Sequence, residues 1–256
     1  MASIFISGGA AGIGLATAER FGREGWTVGV YDVDEAALAD VQARHPDWIT
    51  GKLDVRDADQ WKKALGEFAS HTGGTLDVLD NNAGILLAGD LEEISADAVK
   101  AQIDIDVLGV TLGARAAFPY LRATPGSHLV NIASASAIYG QPGIATYSAS
   151  KFYVAGLTEA LELEWAPHGV RVVAIWPLWA KTALADPKAK STQTLGIRIT
   201  PEQVAHKVWQ SVHPTVLDRR LHRTSYSVGE QTTVLANLSK FSPNFATRLV
   251  NKYLAQ

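Results

Sequence analysis

Cysteine is absent from this 256-residue chain, which excludes disulfides, thiolate catalysis, cysteine-ligated zinc and iron–sulfur clusters. That composition fits a reducing cytoplasm. Long apolar runs are missing as well. The N-terminal Met1-Ala2-Ser3-Ile4-Phe5-Ile6-Ser7 has neither the basic region nor the apolar length of an export signal, and no later stretch reaches bilayer-spanning length. There is no basic excess: 23 Lys and Arg stand against 26 Asp and Glu, a net charge of −3, and the cations are scattered. Nucleic acid is therefore not an expected partner. The 7 histidines lack ligand spacing, His206 and His213 having no acidic partner close in sequence, so no metal site is expected.

Apolar residues make up 47% of the chain and charged ones 19%, enough for a large core, and the length suits one domain spanning residues 1–256. No repeat, low-complexity segment or Pro/Gly-rich linker marks a boundary. Short apolar runs at Ile4 to Ser7, Val28 to Tyr31, Leu76 to Leu79, Leu129 to Ile132 and Val170 to Ile175 read as buried strands. Helical stretches from Ile13, Glu35, Ala58, Ala96, Thr146 and Pro201 alternate with them, each long enough to return the chain for a parallel neighbour. The expected fold class is α/β, a doubly wound parallel sheet. Residues 176–200 break the alternation where ligand crevices lie in such sheets; they read as a substrate lid, with an ordinary surface loop as the alternative.

Ser7-Gly8-Gly9-Ala10-Ala11-Gly12-Ile13-Gly14 follows the first strand and opens a helix. Glycine permits a tight turn and close approach to a pyrophosphate, and the helix N-terminal amides favour its negative charge. The second strand ends in Asp32, at the distance where a carboxylate accepts hydrogen bonds from the adenosine ribose and repels a 2′-phosphate. With no Lys or Arg in the glycine turn, NAD is expected in preference to NADP. Tyr147 and Lys151, four residues apart, share one helix face. An ammonium there stabilises the phenolate and makes tyrosine a usable acid or base near neutrality, although such a spacing alone is common on helices.

Taken together, Ser7 to Gly14, Asn81-Asn82-Ala83-Gly84, Ser134, and Tyr147 to Lys151 resemble the short-chain dehydrogenase/reductase family in motif, order and separation from Ser3 to about Thr182. The resemblance implies a Rossmann-like sheet of about seven strands and hydride transfer at a nicotinamide ring. It makes Tyr147 the proton donor or acceptor, has Lys151 also bind the nicotinamide ribose, and has Ser134 hold the substrate oxygen. It further implies cofactor contacts at Ser7, Gly8, Gly12, Ile13 and Gly14, adenine contacts at Asp54 and Val55, and a lining formed by Asn82, Ala83 and Gly84. Pro177, Ala180 and Thr182 resemble the family's nicotinamide-side segment.

Three departures stand out. Asp106 occupies the place where the family has an asparagine supporting a water relay to the lysine, so an acid joins the catalytic group. After Pro177, Leu178 replaces the glycine of the family's Pro-Gly, and the bulk of Leu178 and Trp179 narrows the pocket. With Leu86, Leu87, Ile138 and Tyr139, they predict a hydrophobic secondary alcohol or ketone as small-molecule substrate, cyclic or aryl in shape. The family's glycine-rich C-terminal contact is missing: Ser225 to Gly229 leads into helical sequence, and Phe245, Leu249, Val250, Tyr253 and Leu254 form an apolar stripe. That stripe suits packing on the domain or a sister subunit, in a homo-oligomeric dimer or tetramer, with an interfacial membrane helix as the minority alternative. Trp26, Trp48, Trp61, Trp165 and Trp209 are read as packing, and Trp176 and Trp179 as placed to touch a ligand. The competing functions are a catalytically idle dinucleotide sensor or scaffold, and an epimerase or dehydratase of a related family.

Overall fold

Ile4 and Ile6 point to one side of the first strand and Phe5 to the other, and none of the three has solvent exposure. That two-sided burial is what a parallel sheet covered on both faces requires. In a computed structural model, residues 1–182 and 199–239 are described. Seven parallel strands pair in the order β3-β2-β1-β4-β5-β6-β7. They are β1 (Ser3–Ser7), β2 (Thr27–Asp32), β3 (Ile49–Lys52), β4 (Val78–Asn81), β5 (His128–Ile132), β6 (Arg171–Pro177) and β7 (Ser225–Val228). The doubly wound α/β expectation holds. Among the described residues no helix is long and apolar enough to cross a membrane.

On one face, α1 (Gly12–Gly22), α2 (Glu35–Arg44) and α7 (Pro201–Val212) bury Ala18, Phe21, Leu38, Val41, Val204 and Val208 against Ile4, Ile6, Val30, Val130 and Ile175. On the other, α3 (Ala58–His71), α5 (Val110–Arg122) and the end of α6 (Ala145–Trp165) bury Trp61, Leu65, Phe68, Leu121 and Trp165 against Phe5, Leu79 and Leu129. Each valine, leucine, isoleucine or phenylalanine among them contributes roughly 1.5–3 kcal/mol relative to exposure. Local sequence starts the helices where they begin: Asp34, Asp57 and Thr200 each accept hydrogen bonds from first-turn amides. The five tryptophans read as packing do pack. Trp26 and Trp209 lie 4.9 and 5.0 Å from the Phe21 ring, Trp165 lies 4.6 Å from Phe118, and Trp48 abuts Gly22.

Two strands carry no strong apolar run. β3 is Ile-Thr-Gly-Lys at the sheet edge, where Gly51 admits the ring of Tyr31, and β7 alternates Ser-Tyr-Ser-Val with only Tyr226 and Val228 buried. The stretch after Ala96 is composite: α4 (Ala96–Ile103) passes through a π-turn, Asp104–Gly109, into α5. Two short helices, α8 (Val216–Arg220) and α9 (Glu230–Ser239), flank β7, and the proposed C-terminal stripe lies outside the described residues.

One core position opposes the pattern. Asp80 of β4 is in register with Ile6 and Val130, has no exposure, and neither carboxyl oxygen has a hydrogen-bond partner. Burial pushes its pKa up to about 8. The folded chain therefore holds a proton that the unfolded chain releases near pH ~4, so this group weakens stability by about 1.4 kcal/mol for each pH unit from there up to its folded pKa. Asp80→Val is expected to raise the urea midpoint, most strongly above pH ~8, and to flatten the pH dependence of unfolding. A variant less stable than wild type at alkaline pH would contradict this.

Candidate active site

The strand order reverses between β1 and β4, and a cavity of about 470 Å³ opens there at the carboxyl ends of the strands. Its first wall is the turn after β1. Gly8 and Gly12 take φ of +63° and +54°, and a Cβ on Gly8 would stand 2.8 Å from Ala83 Cα. A Cβ on Gly12 would come within 3.3 Å of Thr182 Cγ2, closing the gap between turn and opposite rim. Ala11, before α1, offers no side-chain cap and no acid occupies the first turn, so these helix N-terminal amides suit an anion. That chemistry fits a dinucleotide pyrophosphate.

Not every glycine-turn residue reaches the cavity. Ser7 Oγ donates to Asp80 O at 3.3 Å and accepts from the amides of Asn82 and Ala83 at 3.2 and 3.3 Å; the side chain braces the turn from behind. Gly14 also acts from behind, since a Cβ there would lie 2.3 Å from Gly8 O. Both stand behind the cavity wall, where they support the turn. Asn82 does line the wall, and its Nδ2 donates to Ser7 O and Gly8 O at 3.0 and 2.8 Å. Ile13, Ala83 and Gly84 line it with Asn82.

At the far end stand Asp32, Asp54, Val55 and Arg56. Asp32 accepts from Ala10 N at 3.2 Å and Asp34 N at 3.1 Å, which fixes its carboxylate beside the turn. The Arg56 guanidinium forks onto Asp54 at 2.6 to 3.1 Å and holds that carboxyl below its usual range. Arg56 escaped sequence reasoning because cations were sought only within the glycine turn.

At the other end, Ser134, Tyr147 and Lys151 converge. Ser134 follows β5 and starts a single 3-10 turn, its Oγ accepting from Ser136 N at 3.1 Å and standing 3.5 Å from Pro177 O. Tyr147 and Lys151 project from one face of α6, with Nζ 5.4 Å from the phenol ring centroid. Lys151 is buried and donates to Ile132 O at 3.0 Å, which anchors its ammonium at the end of β5. Burial raises the Tyr147 pKa, the Lys151 charge pulls it down, Asp106 pushes it up, and the nearby Ser134 hydroxyl lowers it. The pair can hold and move a proton.

Asp106 lies in the π-turn behind that wall, fully buried. It accepts from Ile85 N at 2.9 Å and Ser150 Oγ at 3.3 Å. Burial lifts its pKa, while Lys151 and these two donors pull it back. A Cβ on Gly84 would stand 3.2 Å from Asp106 Oδ1 and 3.6 Å from Lys151 Nζ, so acid and ammonium flank that glycine closely.

The apolar end is built from Leu86, Leu178 and Trp179, with Trp179 packed against Ile144 and near Tyr147. Pro177, Ala180 and Thr182 complete the rim, where Ala180 bridges to Ile199. Tyr139 follows the 3-10 turn and lies outside the wall, its buried side chain ending with the hydroxyl 3.5 Å from Leu235 O of α9. Leu87 and Ile138 likewise lie outside the wall, and Trp176 packs with the Val110, Ala133 and Val154 cluster. Ile85, Ile105, Ser136 and Gln141, none predicted, line it instead.

The sequence profile described as short chain dehydrogenase matches residues 2–193. The chain belongs to the short-chain dehydrogenase family. It is 34% identical over 189 residues, 70% of this chain and 72% of the relative, to trans-4-hydroxycyclohexanecarboxylate dehydrogenase of Sinomonas cyclohexanicum. Meso-2,3-butanediol dehydrogenase of Serratia marcescens is 34% identical over 211 residues, 79% of this chain and 83% of the relative. A crystal structure of 3-ketoacyl-(acyl-carrier-protein) reductase from Brucella melitensis complexed with NADH superposes with a TM-score of 0.80 at 25% identity, covering 89% of this chain and 96% of that one. This short-chain dehydrogenase is an oxidoreductase that uses a nicotinamide cofactor to interconvert a secondary alcohol and a ketone.

Because the Asp106 charge opposes phenolate formation at Tyr147, Asp106→Asn is expected to move the pH–rate profile of alcohol oxidation toward lower pH. Initial rates across a pH series, with melting curves to verify folding, measure this. A shift toward higher pH would show that Asp106 assists the tyrosine.

Proposed function

We propose that this enzyme is an NAD-dependent alcohol dehydrogenase and ketone reductase acting on compact hydrophobic secondary alcohols, cyclic or aryl in shape. The observation that carries the reading is that Ser134, Tyr147 and Lys151 line one end of the cavity whose other end holds the glycine turn and Asp32. The nicotinamide ring, when bound, supplies or accepts the hydride. Tyr147 takes the alcohol proton during oxidation and returns it to the carbonyl oxygen during reduction. Lys151 stabilises the phenolate and binds the nicotinamide ribose, while Ser134 holds the substrate oxygen beside the phenol. Asp106 acts on Tyr147 and Lys151 from behind the wall. Leu86, Leu178 and Trp179 exclude water and favour a carbon ring, in keeping with the cyclohexane named in the Sinomonas relative.

NAD preference rests on Asp32. Its carboxylate accepts hydrogen bonds from ribose hydroxyls but meets a 2′-phosphate with like charge. Arg56, the cation at that end, already forks onto Asp54. Gly8, Gly12, Ile13, Asn82, Ala83 and Gly84 cradle the dinucleotide, Asp54 and Val55 border its adenine, and Pro177, Ala180 and Thr182 border its nicotinamide side. The proposed lid falls mostly on residues 183–198, outside those described; its flanks are joined by the Ala180–Ile199 bridge beside the cavity. A cytoplasmic homodimer or homotetramer completes the reading. Its support is the exposed apolar surface at Phe152, Tyr153 and Leu163 on α6.

A second reading, an idle dinucleotide sensor, draws on one observation, the acid placed where it opposes the phenolate. A panel of secondary alcohols with NAD or NADP separates the two. Wild type is expected to turn over with NAD, and Tyr147→Phe to lose on the order of a hundredfold or more in kcat while still binding NADH. NADH binding without turnover of any alcohol or ketone would establish the sensor. Asp32→Ala is expected to weaken NAD more than NADP in titration; equal losses would contradict the role of its carboxylate.

A further inference from the structure

Buried polar atoms without a partner are exceptions in folded proteins. Among the described residues they occur on Thr17, Asp80, Asn81, Gln102, Arg171 and a few others, and of that whole set only Gln141 belongs to the cavity wall. Its side-chain oxygen is buried and accepts no hydrogen bond, although the residue is 94% removed from solvent, being 6% exposed. Asn81 and Gln102, by contrast, at least use their amide nitrogens on protein carbonyls.

The backbone of Gln141 is held firmly. Its N–H donates to Ser148 Oγ at 3.1 Å and its carbonyl accepts from Ile144 N at 3.4 Å, which ties it to the first turn of α6, beside Tyr147. Pro142 next in the chain restricts the same backbone further. A fixed backbone with an unpaired side chain is the reverse of what a structural amide needs. The substrate end of the wall is apolar at Leu86, Leu178 and Trp179, and among the described residues its polar side chains besides Gln141 are the serines 134 and 136 and the Tyr147–Lys151 pair.

We propose that Gln141 determines specificity by hydrogen-bonding a second oxygen of the substrate, so that the substrates are cyclic secondary alcohols carrying another neutral hydroxyl or carbonyl group. The inference rests on the alcohol dehydrogenase reading of the same cavity. An amide both donates and accepts, so it serves a diol and its hydroxyketone product equally. A neutral group is specified because, among the described residues, the wall holds two cations, Lys151 beside the phenol and Arg56 at the opposite end. Among these residues a carboxylate would find no free positive partner, since Lys151 faces the phenol and Arg56 is held by Asp54. A site that pairs a buried polar group with a substrate oxygen discriminates strongly against the analogue lacking that oxygen, because the amide is then left unpaired.

The test compares kcat/KM of the full-length enzyme with NAD for cyclohexanol, the cyclohexanediol isomers and hydroxycyclohexanecarboxylate. At least one diol is expected to exceed cyclohexanol by about tenfold or more. Gln141→Leu, and Gln141→Met if the first folds poorly, should lower the diol-to-cyclohexanol ratio by about tenfold, chiefly through KM of the diol. An unchanged ratio in a folded variant, or wild-type preference for cyclohexanol or for the carboxylate, overturns the assignment while leaving the dehydrogenase reading intact. No turnover of any alcohol, with NADH still binding, overturns both.

Discussion

The side-chain amide of Asn82 donates to two carbonyls at once, those of Ser7 and Gly8, and that fork ties the end of β4 to the turn after β1. Strand order reverses between these two strands, so the connections that follow them diverge to opposite faces and leave a crevice between the strand ends. The fork and the Ser7 hydroxyl, bonded to the following amides, hold the two strand ends at a distance that only a residue without Cβ at position 8 allows. Loosen that contact and the glycine turn, the Ala83–Gly84 floor and the spacing to Thr182 lose their common reference.

On that frame sits a small set of charges removed from water. Lys151 is buried, and its ammonium is stabilised by the Ile132 carbonyl and the nearby phenol ring. Its charge favours the ionised forms of both Tyr147 and Asp106. These two compete for one cation in a medium where charges are weakly screened. The protonation of Tyr147 and that of Asp106 therefore depend on each other, and the macroscopic titration belongs to the two together.

Much of this was legible in the sequence where a short-range rule decides the geometry. A four-residue spacing on a helix puts Tyr147 beside Lys151 whatever the surroundings, and a glycine run between strand and helix makes a turn with free amides. Less was legible where a side chain's direction depends on a loop. Tyr139 lies between Ser134 and Tyr147 in sequence, yet a 3-10 turn directs it under α9, while Gln141, two residues on, lines the cavity. Edge strands were hard for a different reason: β3 and β7 are short, and β7 buries only alternate residues, so neither presents a continuous apolar run. The Arg56–Asp54 fork spans just two residues, but its importance comes from where β3 ends relative to Asp32, which is a property of the assembled sheet.

Two buried acids, Asp106 and Asp80, show how partners decide what a buried carboxyl does. Asp106 has an amide donor, a hydroxyl donor and an ammonium nearby, so the protein stabilises part of its charge and its burial becomes a bias on the neighbouring phenol. Asp80 has none of these, and the apolar face between Ile6 and Val130 favours its neutral form, with the pKa pushed up to about 8. Its backbone carbonyl nevertheless accepts the Ser7 hydroxyl that orders the β1–β4 junction. A charge forced onto Asp80 would therefore strain the core directly beneath the frame that holds the cofactor turn, whereas a charge on Asp106 is met by groups already placed to receive it.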